Sequence, residues 1–252
     1  MTIKPAIRIK TKIALITVIA LLLISFLVGL GSWQIQRYGW KQDLIARVEQ
    51  NIHAAPRKAP ESGEWAVADK KALEYRAVEV SGQYLNTQEI QVGALTEKGS
   101  GYWILTPFQR DNGEILFVNR GYVVTAKRDP ASRASGQIEG ETVVTGLLRL
   151  TEPKGFFLRQ NKPEQNIWYS RDTQAFAENL GLRNVLPYFV DADASQNRID
   201  RPIGGMTVVK FADNHLAYAF TWFSLALMVL GMTIYLIYYE VRRKRKSDQA
   251  SE

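Results

Sequence analysis

The residue best placed for chemistry is His215, in the run Asp213-Asn214-His215-Leu216-Ala217-Tyr218-Ala219-Phe220-Thr221-Trp222. Asp213 or Asn214 can cap a helix there, which puts His215 in its first turn. A helix N-terminus carries about +0.5 of partial charge, and this disfavours a further positive charge on the ring. A neutral imidazole keeps a lone pair that an iron or another metal can take. Tyr218 and Trp222 follow on the same helix face, with Trp222 ~10 Å further along at ~1.5 Å per residue. A flat apolar macrocycle could rest on that face with its iron on His215. The same residues also fit a membrane–water interface, where Tyr and Trp gather and a histidine is tolerated. Ala217, Ala219, Ala226 and Gly231 give the helix small residues for packing against another helix. The residues by themselves leave these readings open.

Composition narrows the other chemistry and leaves carboxylate pairs open, since a sequence does not show which acids meet in space. The 252-residue chain has no cysteine and only two histidines, His53 and His215. Thiolate metal sites, redox pairs and a multi-histidine cage are therefore out of reach. His53 lies in a stretch with Pro56, Pro60 and Gly63, and no serine stands in a Gly-x-Ser-x-Gly motif. No phosphate-binding glycine loop is present. The chain is read as no enzyme.

The elements that must position His215 come from hydropathy and charge. Residues 13–36 and 214–239 contain no charged side chain. A helix needs about 20 apolar residues to cross a bilayer. The first run is longer than a signal-peptide core, and no small-x-small cleavage pattern follows it, so it is read as a retained helix. Lys4, Arg8, Lys10 and Lys12 precede it, and Arg242, Arg243, Lys244, Arg245 and Lys246 follow the second run. The positive-inside rule then places both ends in the cytoplasm. The formal net charge of +7 divides as +4 on residues 1–12, +2 on 240–252 and +1 on the rest. The basic excess is thus a topology signal and argues against nucleic acid as a partner. The expected organisation is a cytoplasmic flank (1–12), a first transmembrane helix (13–34), an extracytoplasmic domain (35–212), a second transmembrane helix (213–239) and a basic cytoplasmic tail (240–252). A short flank without an Arg- and Ser-rich leader favours a bacterial inner membrane over a mitochondrial one.

The outer segment changes period. After a helical continuation of the first span and a loop over 53–63, a short helix is expected over about Glu64–Leu73. Strand-like alternation follows at Arg76–Tyr84, Glu89–Ala94, Tyr102–Gln109, Glu114–Asn119, Thr142–Leu150 and Tyr188–Asp191. Arg110-Asp111-Asn112-Gly113 reads as a hairpin turn. Residues 125–140 read as a polar loop. Asp172 or Thr173 caps a helix to about Leu180, with Gly181 as its stop. Arg120 is expected to fix its turn through a salt bridge, and Arg171-Asp172 to steady the start of that helix. The fold class is a membrane protein of α+β type, with two transmembrane helices flanking a mainly antiparallel, small-barrel-like β domain that carries one or two short helices.

These segments resemble the surfeit locus protein 1 family of cytochrome c oxidase biogenesis factors. Gly31-Ser32-Trp33-Gln34-Ile35-Gln36-Arg37 with Trp40-Lys41 is similar to the family's Gly-x-Trp-Gln-x-x-Arg-x-x-Trp-Lys. Tyr75–Gly82, Phe117–Val123, Asn166–Tyr169 with Arg171-Asp172, and Asn214–Ala219 with Trp222-Phe223 match later motifs in order, with Tyr122 where tryptophan is usual. The resemblance implies an assembly factor for a haem–copper terminal oxidase that binds haem a transiently and aids its insertion into oxidase subunit I. His215 is then the implied ligand to the haem iron, with Tyr218 and Trp222 on the same face. Arg37 is expected to pair with a propionate, and the outer domain to dock the oxidase or the haem a synthase, in an oligomer or alone. The alternative is a scaffold that binds oxidase subunits without touching haem.

Overall fold

The computed structural model describes residues 5–153, 159–207, 209 and 213–249. The chain forms two compact units, one from Met1–Ala46 and Lys210–Glu252, the other from Arg47–Val209.

The first unit is a helix pair. α1 (Pro5–His53) runs 49 residues without a break, and α5 (His215–Gln249) runs 35. Both contain stretches long and apolar enough to cross a bilayer. Large apolar side chains such as Leu22, Phe26, Leu227 and Met228 point outward and are mostly exposed. The residues the pair buries are mainly small. Ala20 and Leu27 of α1 and Ala219 and Ala226 of α5 are buried, and Gly31 leaves room for the Phe223 ring. Close approach through small residues is how helices associate where lipid removes the hydrophobic drive. Ala217 is exposed and Gly231 has nothing within 4 Å of where a Cβ would sit, so these two lie off the seam. Ala219 and Ala226 are seven residues apart and share a face, which Ala217 and Gly231 do not. Thr17, Thr221 and Thr233 donate to the carbonyls of Ile13, Ala217 and Val229 four residues back. Lys12 and Glu240 form an ion pair between the helices.

The second unit is a β barrel. α2 (Ser62–Val67) and α3 (Lys70–Leu73) replace the single expected helix, because Asp69 accepts from Lys71 N at 3.1 Å and starts a new one. The strands are β1 (Arg57–Lys58), β2 (Ala77–Tyr84), β3 (Ile90–Thr96), β4 (Gly99–Arg110), β5 (Ile115–Val124), β6 (Glu141–Leu150) and β7 (Val185–Ala192). They order as β1-β2-β6-β7-β5-β4-β3, and β2 also pairs with β4. β2, β6, β7, β5 and β4 therefore close into a five-stranded ring, with β1 and β3 as flaps at its edges. Closure removes strand edges. It needs the backbones of β2 and β4 very close at Gly82. There φ is +151°, and a Cβ would meet Gln109 O at 2.1 Å.

Most pairs are antiparallel, as alternation predicts; β1–β2 and β5–β7 are parallel. The barrel interior holds Val78, Val80, Phe108, Leu116, Val144, Leu148 and Tyr188, all almost fully buried. A second apolar cluster of Ile90, Val92, Leu105, Phe117, Trp168, Phe176 and Phe189 packs under α4 (Thr173–Leu180). As expected, Asp172 caps α4 through Ala175 N at 3.2 Å, and Gly181 ends it in the left-handed region.

Residues 125–140 are more ordered than a polar loop. They form 3-10 turns at Thr125–Lys127 and Pro130–Gly136. A buried Arg133–Glu89 ion pair holds them to the barrel. So does Arg120, the extra residue of a bulge where Ile104 pairs with Gly121 and Leu105 with Asn119. Arg120 donates to Gln137 Oε1 at 2.6 Å, Gly136 O at 3.1 Å and Asn86 Oδ1 at 3.3 Å, and it stacks on Tyr84. It does fix its turn, but through amide and carbonyl oxygens and not through the expected salt bridge.

Candidate functional site

α5 begins at His215 itself. Asp213 Oδ1 accepts from His215 N at 3.1 Å, and Asn214 O accepts from Tyr218 N at 3.1 Å. Gln42 of α1 donates to the other oxygen of Asp213 at 3.1 Å. One acidic side chain thus caps the helix and ties it to its neighbour.

The imidazole is fixed in turn. His215 Nδ1 lies 2.7 Å from Oε1 of Gln34 on α1. A carbonyl oxygen accepts only, so Nδ1 carries the proton and donates. The lone pair is then on Nε2, which has no hydrogen-bond partner among the described residues. This is the arrangement metal-ligating histidines adopt, with the far nitrogen held by an oxygen acceptor. The ring is half-buried at the N-terminal end of α5.

Of the other site residues expected from sequence, Trp222 lies two turns further along α5 on the face of His215 and is half-buried. Tyr218 is rotated to the flank of that face and is 55% exposed. Arg37 is one turn beyond Gln34 on α1, exposed, and stacked against Trp33 and Trp40 with centroids at 6.0 and 5.6 Å. No hydrogen bond joins it to α5 among the described residues. Gln34 itself was missed as a site residue. Its signal was its place in the Trp33-Gln34 motif, but nothing in a single sequence pairs it with a histidine 181 positions away.

The barrel has its own concentration of charge, which the strand pattern did not show. Asp191 on β7 is 3% exposed. It accepts from Asn119 at 2.8 Å, Thr207 at 2.9 Å, Arg149 at 3.0 Å and Arg171 at 3.4 Å. Glu152 accepts from Arg171 Nε at 3.0 Å. Burial alone would lower the Arg171 pKa, but Asp191 and Glu152 turn the shift upward. Arg171 therefore ties the segment just after β6 to β7, while Asp172 of the same pair steadies the start of α4 as the sequence suggests. Asp191 and Glu152 are each paired with Arg149 and Arg171 in this network. Among the described residues no three of His, Cys, Asp and Glu gather as a metal cage.

The SURF1 family model matches residues 21–227, a span that includes both Gln34 and His215. The chain is 37% identical over 213 residues to Surfeit locus protein 1 of Rattus norvegicus, covering 78% of this chain and 67% of that protein. It is 37% identical over 215 residues to Surfeit locus protein 1 of Homo sapiens, covering 79% and 69%. The SURF1-like protein of Monosiga brevicollis is 36% identical over 221 residues, covering 82% of each. With the family match running from the first long helix through the barrel to the second, the chain belongs to the SURF1 family.

Proposed function

We propose that the protein is an assembly factor for a haem–copper terminal oxidase, and that it carries haem a on His215 before the haem enters oxidase subunit I. Its family is one of cytochrome oxidase assembly factors. The observation that carries the finer reading is the 2.7 Å contact from Gln34 to His215 Nδ1, which leaves Nε2 as a lone-pair donor. A single imidazole without other protein ligands suits a metal that brings its own equatorial donors, as porphyrin iron does. Haem a, when bound, supplies an iron that takes an imidazole lone pair, propionates that take a cation, and an apolar tail that prefers lipid.

The chain's own residues supply the complement. Gln34 orients the imidazole, Trp222 offers a half-buried aromatic surface below it, and Arg37 carries a permanent charge one turn beyond Gln34. The basic ends of both helices set them on the cytoplasmic side, with the barrel and His215 on the other. The role is that of a carrier, and a weak hold suits it because the cargo must leave. The barrel serves as the docking body for the oxidase.

The test is the optical spectrum of protein purified from a haem a-producing host. The parent should show haem a absorption, and His215→Ala should lose most of it at equal protein yield. Equal haem a content in the two would remove His215 as the ligand. No haem a in either would leave a scaffold that binds oxidase subunits alone.

A further inference from the structure

We propose that the groove along the outer edge of β3 binds an extended acidic polypeptide segment of a partner protein by strand addition. β3 is the terminal strand of the sheet, paired on its inner side with β4. Its outer side is already used once by the chain itself. Gly93 N donates to Trp168 O at 2.9 Å, in a parallel bridge between Val92 and Trp168. Backbone groups alternate along a strand, so the next outward-facing residue is Leu95. Its outer backbone groups have no partner among the described residues, and its side chain is 84% exposed. The opposite edge of the sheet is blunted by a two-residue β1 of Arg57 and Lys58. Such short charged edges resist strand addition. The β3 edge at Leu95 has no such charge.

A groove of about 1210 Å³ runs beside this edge, with Tyr102, Trp103 and Tyr169 in its lining. That exceeds the ~300–1,000 Å³ of a small-molecule pocket. Arg128 stacks on Tyr102 at 4.6 Å and Arg159 on Tyr169 at 5.4 Å. Neither makes an ion pair with a carboxylate among the described residues. Among the described residues three arginines and one glutamate line the groove, a balance of +2, and that Glu152 is held by Arg171 and Arg149. Aromatic and arginine side chains beside open backbone groups are what an extended peptide with carboxylates recognises.

The test uses the full chain in neutral-lipid nanodiscs and a fluorescein-labelled octapeptide of alternating Glu and Val, with a Lys–Val octapeptide as control. Leu95→Pro removes one outward N–H without touching the β4 ladder. Arg128→Glu with Arg159→Glu reverses the flanking charge. Saturable binding of the acidic peptide alone, weakened by about tenfold or more in each variant, supports the proposal. Protection of the Leu95 amide from hydrogen exchange on binding supports it independently of variant folding. No saturable binding at millimolar peptide overturns it, as does binding that both variants retain. Competition by phosphatidylglycerol vesicles or inorganic phosphate would assign the arginines to anions instead, and peptide-blocked self-association would assign the edge to a second copy.

Discussion

Replacing Gln34 by leucine tests the histidine reading before any haem is added. The change keeps bulk and removes the acceptor that holds the His215 Nδ1 proton at 2.7 Å. A neutral hydrogen bond of good length is worth about 0.5–1.5 kcal/mol net. On the neutral ring, its loss should move the tautomer ratio toward Nε2–H by roughly two- to twelvefold, taking ~1.4 kcal/mol per factor of ten. The chain has only two histidines, so ¹⁵N-histidine spectra of the micelle-bound protein carry two rings, and His53→Gln assigns them. The parent should show Nδ1 protonated and Nε2 bare. Gln34→Leu should lose that bias, and Gln34→Glu, which restores an oxygen acceptor, should keep it. Haem a affinity should fall in Gln34→Leu by the same factor as the competent tautomer. A parent ring protonated on Nε2, or a ratio indifferent to Gln34→Leu, refutes the orientation argument. A tautomer shift without an affinity change refutes the ligand assignment instead.

Three further outcomes follow from the barrel. Gly121→Ala puts a Cβ 2.1 Å from Ile203 O at φ +127°, and should cost about 2–5 kcal/mol from strain and overpacking. Gly113→Ala, at φ +82° with open space around it, should cost only about 1 kcal/mol, so a similar melting temperature for the two variants would contradict this packing. Asp191→Asn strips the buried charge facing Arg149 and Arg171 and should cost about 3–5 kcal/mol. Asp200→Asn, which weakens a more exposed pair with Lys127, should move the chemical-denaturation midpoint far less than Asp191→Asn does. Burial raises the phenol pKa of both Tyr84 and Tyr188 above the usual tyrosine value. The folded state therefore binds these protons more tightly, a contribution intact below about pH 10 and lost as pH rises through the folded values. In an alkaline titration these two phenols should ionise only with unfolding, and a fold that survives with all eleven tyrosines ionised would contradict that.

Period and punctuation made much of this structure legible. Alternation located β2 to within a residue, because one face of that strand is buried and the other is not. Asn112-Gly113 located the β4–β5 hairpin, and Asp172 and Gly181 bounded α4, because these residues supply caps and positive φ at low cost. The full length of β5 escaped notice because it is buried on both faces and interrupted by the Arg120 bulge, so no two-residue period survives. The parallel β5–β7 pairing and the Asp191 network escaped for a different reason. Both depend on which strands meet across the ring, and a charge inside a strand reads as solvent-facing until its partners are known.

The same limit explains why the histidine looked ambiguous. A lone imidazole among Tyr and Trp near a bilayer surface has no chemistry that its own helix can certify. What separates a ligand from an interface residue is the group behind Nδ1, and that group sits on the other long helix. On the proposed carrier reading, a hydrogen-bonded acceptor there also lowers the cost of repeated loading, since the ring need not reorient when cargo leaves. On that same proposed reading, one protein ligand, a half-exposed ring and an aromatic surface that is only partly covered make a site that orients strongly and encloses weakly. That combination favours exchange over permanent residence, and transfer to another protein requires exchange.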